Sequence, residues 1–215
     1  MRVLVTAGPT REPLDPVRYL SNRSSGKMGY AMADAFVKAG HRVLLVSGPT
    51  ALDVPEGVDF LPVESAEEMF EAVKRHIGRM DAAVFAAAVA DYRPAVVSDQ
   101  KIKKTGEALT LELVRTPDIL GSVRGEFGFG GTLVGFAAET RDLEVNAREK
   151  LKRKGCDLVI ANDVSKPGIG FDSDRNEVLL VFPDHTEALP EDAKHHLAPR
   201  IVREIEGLAA LKAGA

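Results

Sequence analysis

Short, uninterrupted apolar runs that alternate with helical segments are the feature that most constrains how this chain can fold. The runs lie at residues 3–5, 43–46, 82–87, 133–136 and 158–161. Their continuity is typical of strands buried on both faces of a sheet. Apolar residues between the runs recur at helical spacing, for example within 28–39 and 143–151. We therefore predict an α/β fold of three layers, a Rossmann-like and mostly parallel sheet with helices on both faces.

Length and composition limit the classes of protein that remain. The 215 residues, 45% of them hydrophobic, suffice for one large domain, which we assign to residues 1–215. The net charge of -4 is spread along the chain, which argues against nucleic-acid and membrane partners. The single cysteine, Cys156, is predicted to be a small core residue. With no signal peptide and no long apolar run, the protein is expected to be cytoplasmic.

Three segments depart from the alternation. Residues 88–114, which we call the flap, contain a lysine cluster and then leucines at every second position from 109 to 113. That period predicts a half-exposed strand on a small β flap or arm. Residues 166–174 are rich in Gly, Asp and Ser and predict a loop that leads into a strand over 178–182. From Glu191 onward, helical spacing predicts a closing helix.

Two helix starts carry small or capping residues. The first strand ends at Gly8, and a run containing Ser24, Ser25 and Gly26 begins the next helix. Free backbone N–H groups beside small side chains predict an anion site there, with an ordinary turn as the alternative. A short helix is predicted to open at Pro117 and Asp118, with Thr116 as its N-cap.

The common nucleotide motifs are absent from these segments. A dinucleotide fingerprint needs its glycines within one tight turn, whereas Gly8 and Gly26 are separated by a long loop. A P-loop needs Ser or Thr after its lysine, and Met28 follows Lys27. No histidine shows metal-ligand spacing, so a zinc site is not expected. Any nucleotide must be bound by different chemistry.

The loop before the first helix and the end of the third apolar run both carry polar groups. Arg18 and Arg23 are suited to phosphate or carboxylate oxygens, and Asn22 offers both a donor and an acceptor. A surface ion-pair loop is the alternative. Asp91 follows the strand ending near residue 87, where ligands of α/β sheets bind, so it is a candidate for a base amine or a cation. A plain capping role for Asp91 stays open.

Lysines occur in two separate groups. Lys101, Lys103 and Lys104 lie on the flap, and taken alone they are typical of a solvated turn. Lys150 and Lys154 lie four residues apart on one face at the end of a helix, where the macrodipole also favours cations. A protein without a P-loop needs discrete lysines and a divalent cation to hold a triphosphate. Together the two groups predict such a site.

Long sequence blocks that occur along nearly the whole chain have the order seen in a known family. They are TAGPTREPLDPVRYLSNRSSGKMG, AAAVADYRP followed by KIKK, VGFAAET, and AREKLKRKGCDLVIANDVS continuing to GFDSDRNEV. These blocks resemble the phosphopantothenoylcysteine synthetase family, which in many bacteria forms the C-terminal half of a bifunctional coenzyme A biosynthesis protein.

The resemblance implies a ligase that joins 4'-phosphopantothenate to L-cysteine. CTP is the implied co-substrate; it is converted to CMP and pyrophosphate through an acyl cytidylate, and Mg²⁺ accompanies the triphosphate. The resemblance also implies a homodimer whose flap is able to cover a neighbouring active site. No flavin is expected in this chain, because the flavin-dependent decarboxylase half is absent from it. That half is expected as a fused or associated partner.

The resemblance also assigns residues. It implies that Lys101 forms the acyl nucleotide and that Asn22 turns the intermediate over. It places the nucleotide along Phe85, Ala86, Ala87, Asp91, Lys101, Pro117, Asp118, Ile119, Leu120, Phe136, Lys150 and Lys154. The residues we assign to the other substrates are Gly8, Arg18, Asn22, Ser24, Ser25 and Gly26. The metal ligands are left unassigned, because the triphosphate itself would hold Mg²⁺.

Two other functions remain open from the residues. A Rossmann-type NADP-dependent oxidoreductase shares the fold class, and a non-catalytic nucleotide-binding partner would need the same cavity. Nor do side chains choose between CTP and ATP, because the base pocket is expected to use backbone groups near Ala86, Ala87 and Pro117.

Overall fold

The computed structural model describes residues 1–104, 106–165 and 173–214. In these ranges the strands are β1 Arg2–Ala7, β2 Arg11–Pro13, β3 Tyr19–Ser21, β4 Arg42–Ser47, β5 Val58–Pro62, β6 Ala82–Phe85, β7 Tyr92–Pro94, β8 Leu113–Arg115, β9 Thr132–Glu139, β10 Leu158–Asp163, β11 Arg175–Val181 and β12 Thr186–Ala193. The helices are α1 Lys27–Lys38, α2 Ala66–His76, α3 Ile119–Gly125, α4 Leu143–Lys154 and α5 Lys194–Ala213, and a 3₁₀ turn, Ile77–Arg79, follows α2.

The central sheet has eight strands in the order β12-β11-β10-β9-β6-β1-β4-β5. The strands from β10 to β5 in that order are parallel, and β11 and β12 add to the β10 edge antiparallel. The predicted apolar runs form β1, β4, β6, β9 and β10. All residues of β1 except Arg2 are buried, as expected for a strand covered on both faces. The predicted α/β class is therefore confirmed.

Helices cover the two faces of the sheet in separate groups. Successive side chains of a strand point to opposite faces, so Val3 packs with α1 and α5 and Leu4 packs with α2, α3 and α4. Phe36 of α1 is fully buried on the first face, and Met69 of α2 on the second. Cys156 belongs to the second core, as predicted. None of the helices in the described ranges is long and apolar enough to cross a membrane.

The flap contains less strand than its leucine pattern predicts. Within the leucine pattern, only Leu113 lies in a strand, β8, which pairs antiparallel with β7 in a two-stranded ribbon. Leu109 and Leu111 precede it and are exposed. The alternation fails as a predictor because no neighbouring strand or core surface in the described structure meets those leucines.

Two predicted helix boundaries are also wrong. Residues 191–193 extend β12, because Asp192 and Ala193 pair with β11, and α5 begins only at Lys194. The N-cap of α3 is Asp118, whose carboxylate accepts the Gly121 N–H at 2.9 Å. Thr116 instead donates its hydroxyl to the Ala90 carbonyl at 2.6 Å. Most of the predicted loop, residues 166–172, lies outside the described residues.

Candidate active site at the carboxyl edge of the sheet

A cavity of about 680 Å³ lies where β6, β9 and β10 end and α1 begins. From β1, the sheet continues through β4 on one side and through β6 on the other. Ligands of open α/β sheets bind beside such a switch point, at the carboxyl ends of the strands. The volume falls in the range of pockets that enclose a small organic ligand.

The N-terminus of α1 forms one end of the cavity. Its N-cap, Gly26, has a φ of 77° and makes no side-chain cap hydrogen bond, and a helix N-terminus favours an anion. The helix approaches β1 closely because Gly29 packs on Ala7. A Cβ at Gly29 would lie 2.5 Å from the Ala7 Cβ. The anion site predicted from the small residues is thus geometrically available.

The segment after β6 is fixed to the end of β1 by backbone hydrogen bonds. The Ala86 N–H donates to the Thr6 carbonyl at 3.1 Å, and the Ala87 N–H donates to the Thr6 hydroxyl at 3.3 Å. The Ala88 N–H donates to the Gly8 carbonyl at 2.9 Å. These bonds make the floor of the cavity a preorganised backbone surface.

Asn22 is anchored over this floor by its side-chain amide. Its Nδ2 donates to the carbonyls of Ala88 at 3.2 Å and Val89 at 3.0 Å. With both amide hydrogens engaged, Oδ1 is the group left to accept a hydrogen bond from a ligand. Asn22 lines the cavity, and the arrangement suits an acceptor for an attacking amine.

The opposite side of the cavity, which we call the α4 wall, comprises Phe136, Lys150, Arg153 and Lys154. The Lys150 ammonium donates to the Phe136 carbonyl at 2.6 Å. Burial lowers the pKa of Lys150 below its ordinary value. The Lys154 ammonium pairs with the Asp118 carboxylate. Both lysines are therefore held at the cavity before any ligand binds.

Charge in the cavity lining favours a polyanion. The lining contains two carboxylates, those of Asp91 and Asp118, and six basic side chains, those of Lys27, Arg115, Lys150, Arg153, Lys154 and Lys194. Burial alone would raise the pKa of Asp118, but the hydrogen bonds from Lys154 and the Gly121 N–H, together with the charges of Lys154 and Arg153, outweigh burial and lower that pKa overall. A triphosphate entering this cavity would gain several cationic partners.

The described residues contain no cluster of three or more His, Cys, Asp or Glu side chains that could hold a metal by themselves. Mg²⁺ is usually held by one or two carboxylates together with substrate phosphates and water. The cavity offers the exposed carboxylate of Asp91 in addition to the paired one of Asp118. This donor set fits a Mg²⁺ ion carried mainly by a triphosphate.

The structure brings most of the sequence-predicted site residues into this one cavity. Its lining includes Asn22, Ser24, Ser25, Gly26, Phe85, Ala86, Ala87, Asp91, Pro117, Asp118, Ile119, Leu120, Phe136, Lys150 and Lys154.

Three residues of the site assignment, Gly8, Arg18 and Lys101, are not in the lining, and neither are the candidates Arg23, Lys103 and Lys104. Gly8 is buried beneath Gly26, and a Cβ on Gly26 would lie 3.3 Å from the Gly8 Cα. Arg18 is bonded to Asp15 and to the Ile102 carbonyl. Lys101 is exposed on the flap, and its side chain lies outside the cavity.

Sequence reasoning missed a polar group beyond the α1 end of the cavity. It consists of the buried residues Asn162, Asn176 and Lys194, together with Lys27. The Lys194 ammonium donates to the Ser173 carbonyl at 2.7 Å, and Lys27 pairs with Asp174 at 2.6 Å. The position of Asn162 at the end of a buried strand was a usable signal. No sequence signal pointed to Lys194, because only the antiparallel return of β11 and β12 in the folded protein brings it to the cavity.

Comparisons with known proteins agree along the chain. The family model described as DNA/pantothenate metabolism flavoprotein C-terminal domain matches residues 1–208. The coenzyme A biosynthesis bifunctional protein CoaBC of Vibrio vulnificus (strain YJ016) is 48% identical over 208 residues, which are 96% of this chain and 52% of that protein. The chain thus spans about half the length of this relative.

Solved structures show the same fold. The crystal structure of the C-terminal domain of a CoaBC protein has a TM-score of 0.82 at 43% identity, covering 96% of this chain and 94% of that one. A Cab2 complex with phosphopantothenate-cysteine has a TM-score of 0.79 at 19% identity, covering 99% of this chain and 87% of that one. At that identity the second likeness bears on the fold alone.

Proposed function

Since this chain belongs to the family described as the DNA/pantothenate metabolism flavoprotein C-terminal domain, we propose that it is a ligase of coenzyme A biosynthesis. It joins 4'-phosphopantothenate to L-cysteine and consumes CTP. The observation that carries the proposal is the basic cavity at the carboxyl edge of the sheet. Asn22, Lys150 and Lys154 meet there, and the family resemblance assigns these residues to the intermediate and the nucleotide.

The first step activates the carboxylate, which does not acylate an amine at neutral pH. A carboxylate oxygen of phosphopantothenate attacks the α-phosphorus of CTP, and the bond from that phosphorus to the bridging oxygen breaks. The products are the acyl cytidylate and pyrophosphate. Lys150 and Lys154 bind the phosphate oxygens, and Lys154 exchanges Asp118 for the nucleotide when it does so.

In the second step the cysteine amine attacks the acyl carbon, and CMP leaves with the electron pair of the C–O bond. The cysteine ammonium gives one proton to water before it attacks as the neutral amine, and the nitrogen gives a second proton to water as the amide forms. Oδ1 of Asn22 accepts a hydrogen bond from that nitrogen, while Nδ2 stays on the Ala88 and Val89 carbonyls. Asn22 thereby orients the amine toward the intermediate.

Lys101 supplies positive charge to the first step from the flap. Because its side chain lies outside the cavity of its own chain, it acts when the flap covers an active site. Exposed apolar side chains on the flap, among them Val96, Val97 and Leu113, support a homodimer in which that site belongs to the neighbour. Sedimentation analysis at several concentrations tests the dimer.

Mg²⁺ accompanies the triphosphate, with Asp91 as the carboxylate placed to approach it. When bound, the ion would neutralise charge on the phosphates and so favour attack on phosphorus. Asp118 remains with the N-terminus of α3 through the Gly121 N–H.

The length of the relatives suggests which enzyme acts next on the product. A protein of this family that spans about half of a bifunctional relative is expected to work with the flavin-dependent decarboxylase half, either fused or associated. The amide produced here carries the cysteine carboxylate that a decarboxylase removes. We place the reaction in the cytoplasm.

Pyrophosphate release tests the function directly. We expect release only when both CTP and phosphopantothenate are present, and conversion of the intermediate to CMP and the amide when cysteine is added. A change in nicotinamide absorbance without pyrophosphate release would instead identify an oxidoreductase, which the comparisons do not favour.

The choice of triphosphate needs its own assay. We propose CTP because the family resemblance implies it, with the base placed against the fixed backbone at Ala86 and Ala87. Parallel assays with CTP and ATP at equal concentration decide the choice. A higher kcat/KM with ATP would overturn the nucleotide assignment and leave the ligase reaction intact.

A further inference from the structure

We propose that Asp15 and Arg18 are positioning residues that fix the Lys101 segment of the flap, and that Arg18 acts through this segment and does not bind substrate. We call the arrangement of Asp15, Arg18 and Ile102 the clasp. It rests on the proposed function only in the role given to Lys101.

Asp15 is the centre of the clasp. Its side chain is fully buried, and its two carboxylate oxygens accept hydrogen bonds from different parts of the chain. Oδ1 accepts the backbone N–H groups of Val17 at 2.8 Å and Arg18 at 2.9 Å. Oδ2 accepts the Arg18 guanidinium at 2.5 and 3.0 Å and the Ile102 N–H at 3.1 Å. The Arg18 guanidinium holds the pKa of Asp15 well below its usual range, so the carboxylate stays charged.

Arg18 completes the contact with the flap. Its Nη2 donates to the Ile102 carbonyl at 2.9 Å, so both backbone polar groups of Ile102 are bound by the clasp. Ile102 lies directly between Lys101 and Lys103. Fixing its peptide groups fixes the directions in which the two flanking lysines leave the backbone.

A second bond supports the same contact. The Ser98 N–H of the flap donates to the Leu14 carbonyl at 3.0 Å, and Leu14 adjoins Asp15. Leu14 and Asp15 belong to the β2–β3 hairpin, whose strand β3 ends at Ser21, immediately before Asn22. The clasp therefore joins the segment that carries Lys101 to the segment that carries Asn22. The clasp thus fixes the relative positions of the two segments that carry the residues proposed for the two chemical steps, Lys101 and Asn22.

Geometry separates this role from substrate binding. The guanidinium of Arg18 has an anionic partner on its own hairpin and a carbonyl partner on the flap, and Arg18 does not line the cavity. Displacing a catalytic group by about 1 Å costs about 10²-fold in rate. Loss of the clasp is therefore expected to lower kcat, with the KM for phosphopantothenate little changed.

A double-mutant cycle tests this coupling. We expect Arg18→Gln to lower kcat by about 10²-fold and to lower it by less than about twofold further in a Lys101→Gln background. Arg18→Lys keeps the charge without the fork that reaches both partners, so an intermediate loss is expected. Arg148→Gln is the matched control, because it breaks an exposed pair with Glu144 away from the cavity. A rise in KM with kcat retained, or additive losses with Lys101→Gln, would overturn the proposal.

Amide hydrogen exchange tests the clasp without the reaction. In the wild-type protein the Ile102 N–H should be protected, and Arg18→Gln and Asp15→Asn should accelerate its exchange by about tenfold or more. Exchange in the core strand β1 should not change, which separates loss of the clasp from unfolding. Equal Ile102 exchange in all three proteins would overturn the proposal. An inactive wild-type protein would contradict the proposed function alone, and exchange at Ile102 would still decide on the clasp.

Discussion

The α4 wall and the flap both present lysines, yet they hold them in opposite ways. Lys150 and Lys154 on the wall are partly buried, and each is bonded to a fixed partner, the Phe136 carbonyl and the Asp118 carboxylate. Lys101 on the flap is exposed and lies outside the cavity. Only the backbone of its neighbour Ile102 is fixed, by the clasp.

The difference suggests a division between binding and chemistry. A desolvated, preoriented ammonium interacts with the ground-state triphosphate as soon as it binds. A solvated ammonium contributes only when the flap brings it to the phosphates, and that contribution favours the transition state. Substitutions in the wall should therefore change KM, and substitutions at Lys101 should change kcat.

Lys101→Gln should have the largest effect. We expect acyl-cytidylate formation to slow by about 10³-fold, with little change in the KM for CTP, because the Lys101 side chain lies outside the cavity. Single-turnover release of pyrophosphate measures the step. Lys38→Gln, which removes another exposed lysine, is the control. A normal rate with a raised KM would place Lys101 among the binding residues and remove the distinction from the wall.

Asn22→Asp should have the next largest effect, on the second step. A carboxylate at this position faces the Ala88 and Val89 carbonyls in place of the amide donor, so the side chain loses its anchor. Turnover of the acyl cytidylate should slow by about 10²-fold, and the intermediate should accumulate when CTP and phosphopantothenate are supplied. Quenching and chromatography would detect it. If the quenched reaction contains no trapped intermediate, the role assigned to Asn22 is wrong.

Lys150→Met tests the wall. The substitution keeps most of the side-chain volume and removes the charge-assisted hydrogen bonds, so the KM for CTP should rise by about 10- to 100-fold. The kcat should change much less than with Lys101→Gln. Lys152→Met, on the exposed side of the same helix, should leave both constants near wild type. A fall in kcat at unchanged KM would show that the wall acts in the transition state.

The wall and the flap also differ in how far sequence could predict them. The core strands were predictable because burial on both faces leaves a continuous apolar run, as in β1 and β10. The rule that ligands bind where parallel strands end pointed to Asp91, which lines the cavity, as do Ala86 and Ala87, which the family resemblance assigned. Lys150 and Lys154 followed from helical spacing, which places residues four apart on one face.

Edge strands, and contacts between distant parts of the chain, were not predictable in the same way. β5 has no buried residue, β12 has one, and neither carries a continuous apolar run. β12 also extends into the segment predicted as helix. The guanidinium N–H groups of a loop arginine such as Arg18 can bond to many acceptors, and the tertiary structure decides which one they meet. Sequence suggested an anion ligand, whereas Asp15 and Ile102 are its observed partners.

Asp118→Asn sharpens the contrast within the wall. Asparagine preserves the N-cap of α3, but it removes the carboxylate that holds Lys154. Lys154 should then bind phosphate without first breaking an ion pair, and the KM for CTP should fall by about two- to fivefold. Steady-state kinetics measures this change, and thermal melting checks that α3 is intact. A raised KM would mean that the Asp118 carboxylate itself contacts the nucleotide or its ion.

The pH dependence of the wall should give the smallest effect. Burial lowers the pKa of Lys150, so as pH rises its ammonium is lost earlier than an ordinary lysine would lose it. The KM for CTP should therefore rise on the alkaline side, by about twofold over the accessible range. In Lys150→Met, the KM for CTP should not show this alkaline rise.

Stability should move in the opposite direction over the same pH window. Between the lowered pKa of Lys150 and the ordinary lysine value, the unfolded chain binds more protons than the folded one, so this group's contribution to the free energy of unfolding rises with pH. Urea unfolding of wild type and Lys150→Met across the window measures the difference. If wild type and Lys150→Met showed the same pH dependence of KM and the same pH dependence of stability, the ammonium of Lys150 would be as solvated as that of Lys101. The wall and the flap would then differ only in distance from the nucleotide.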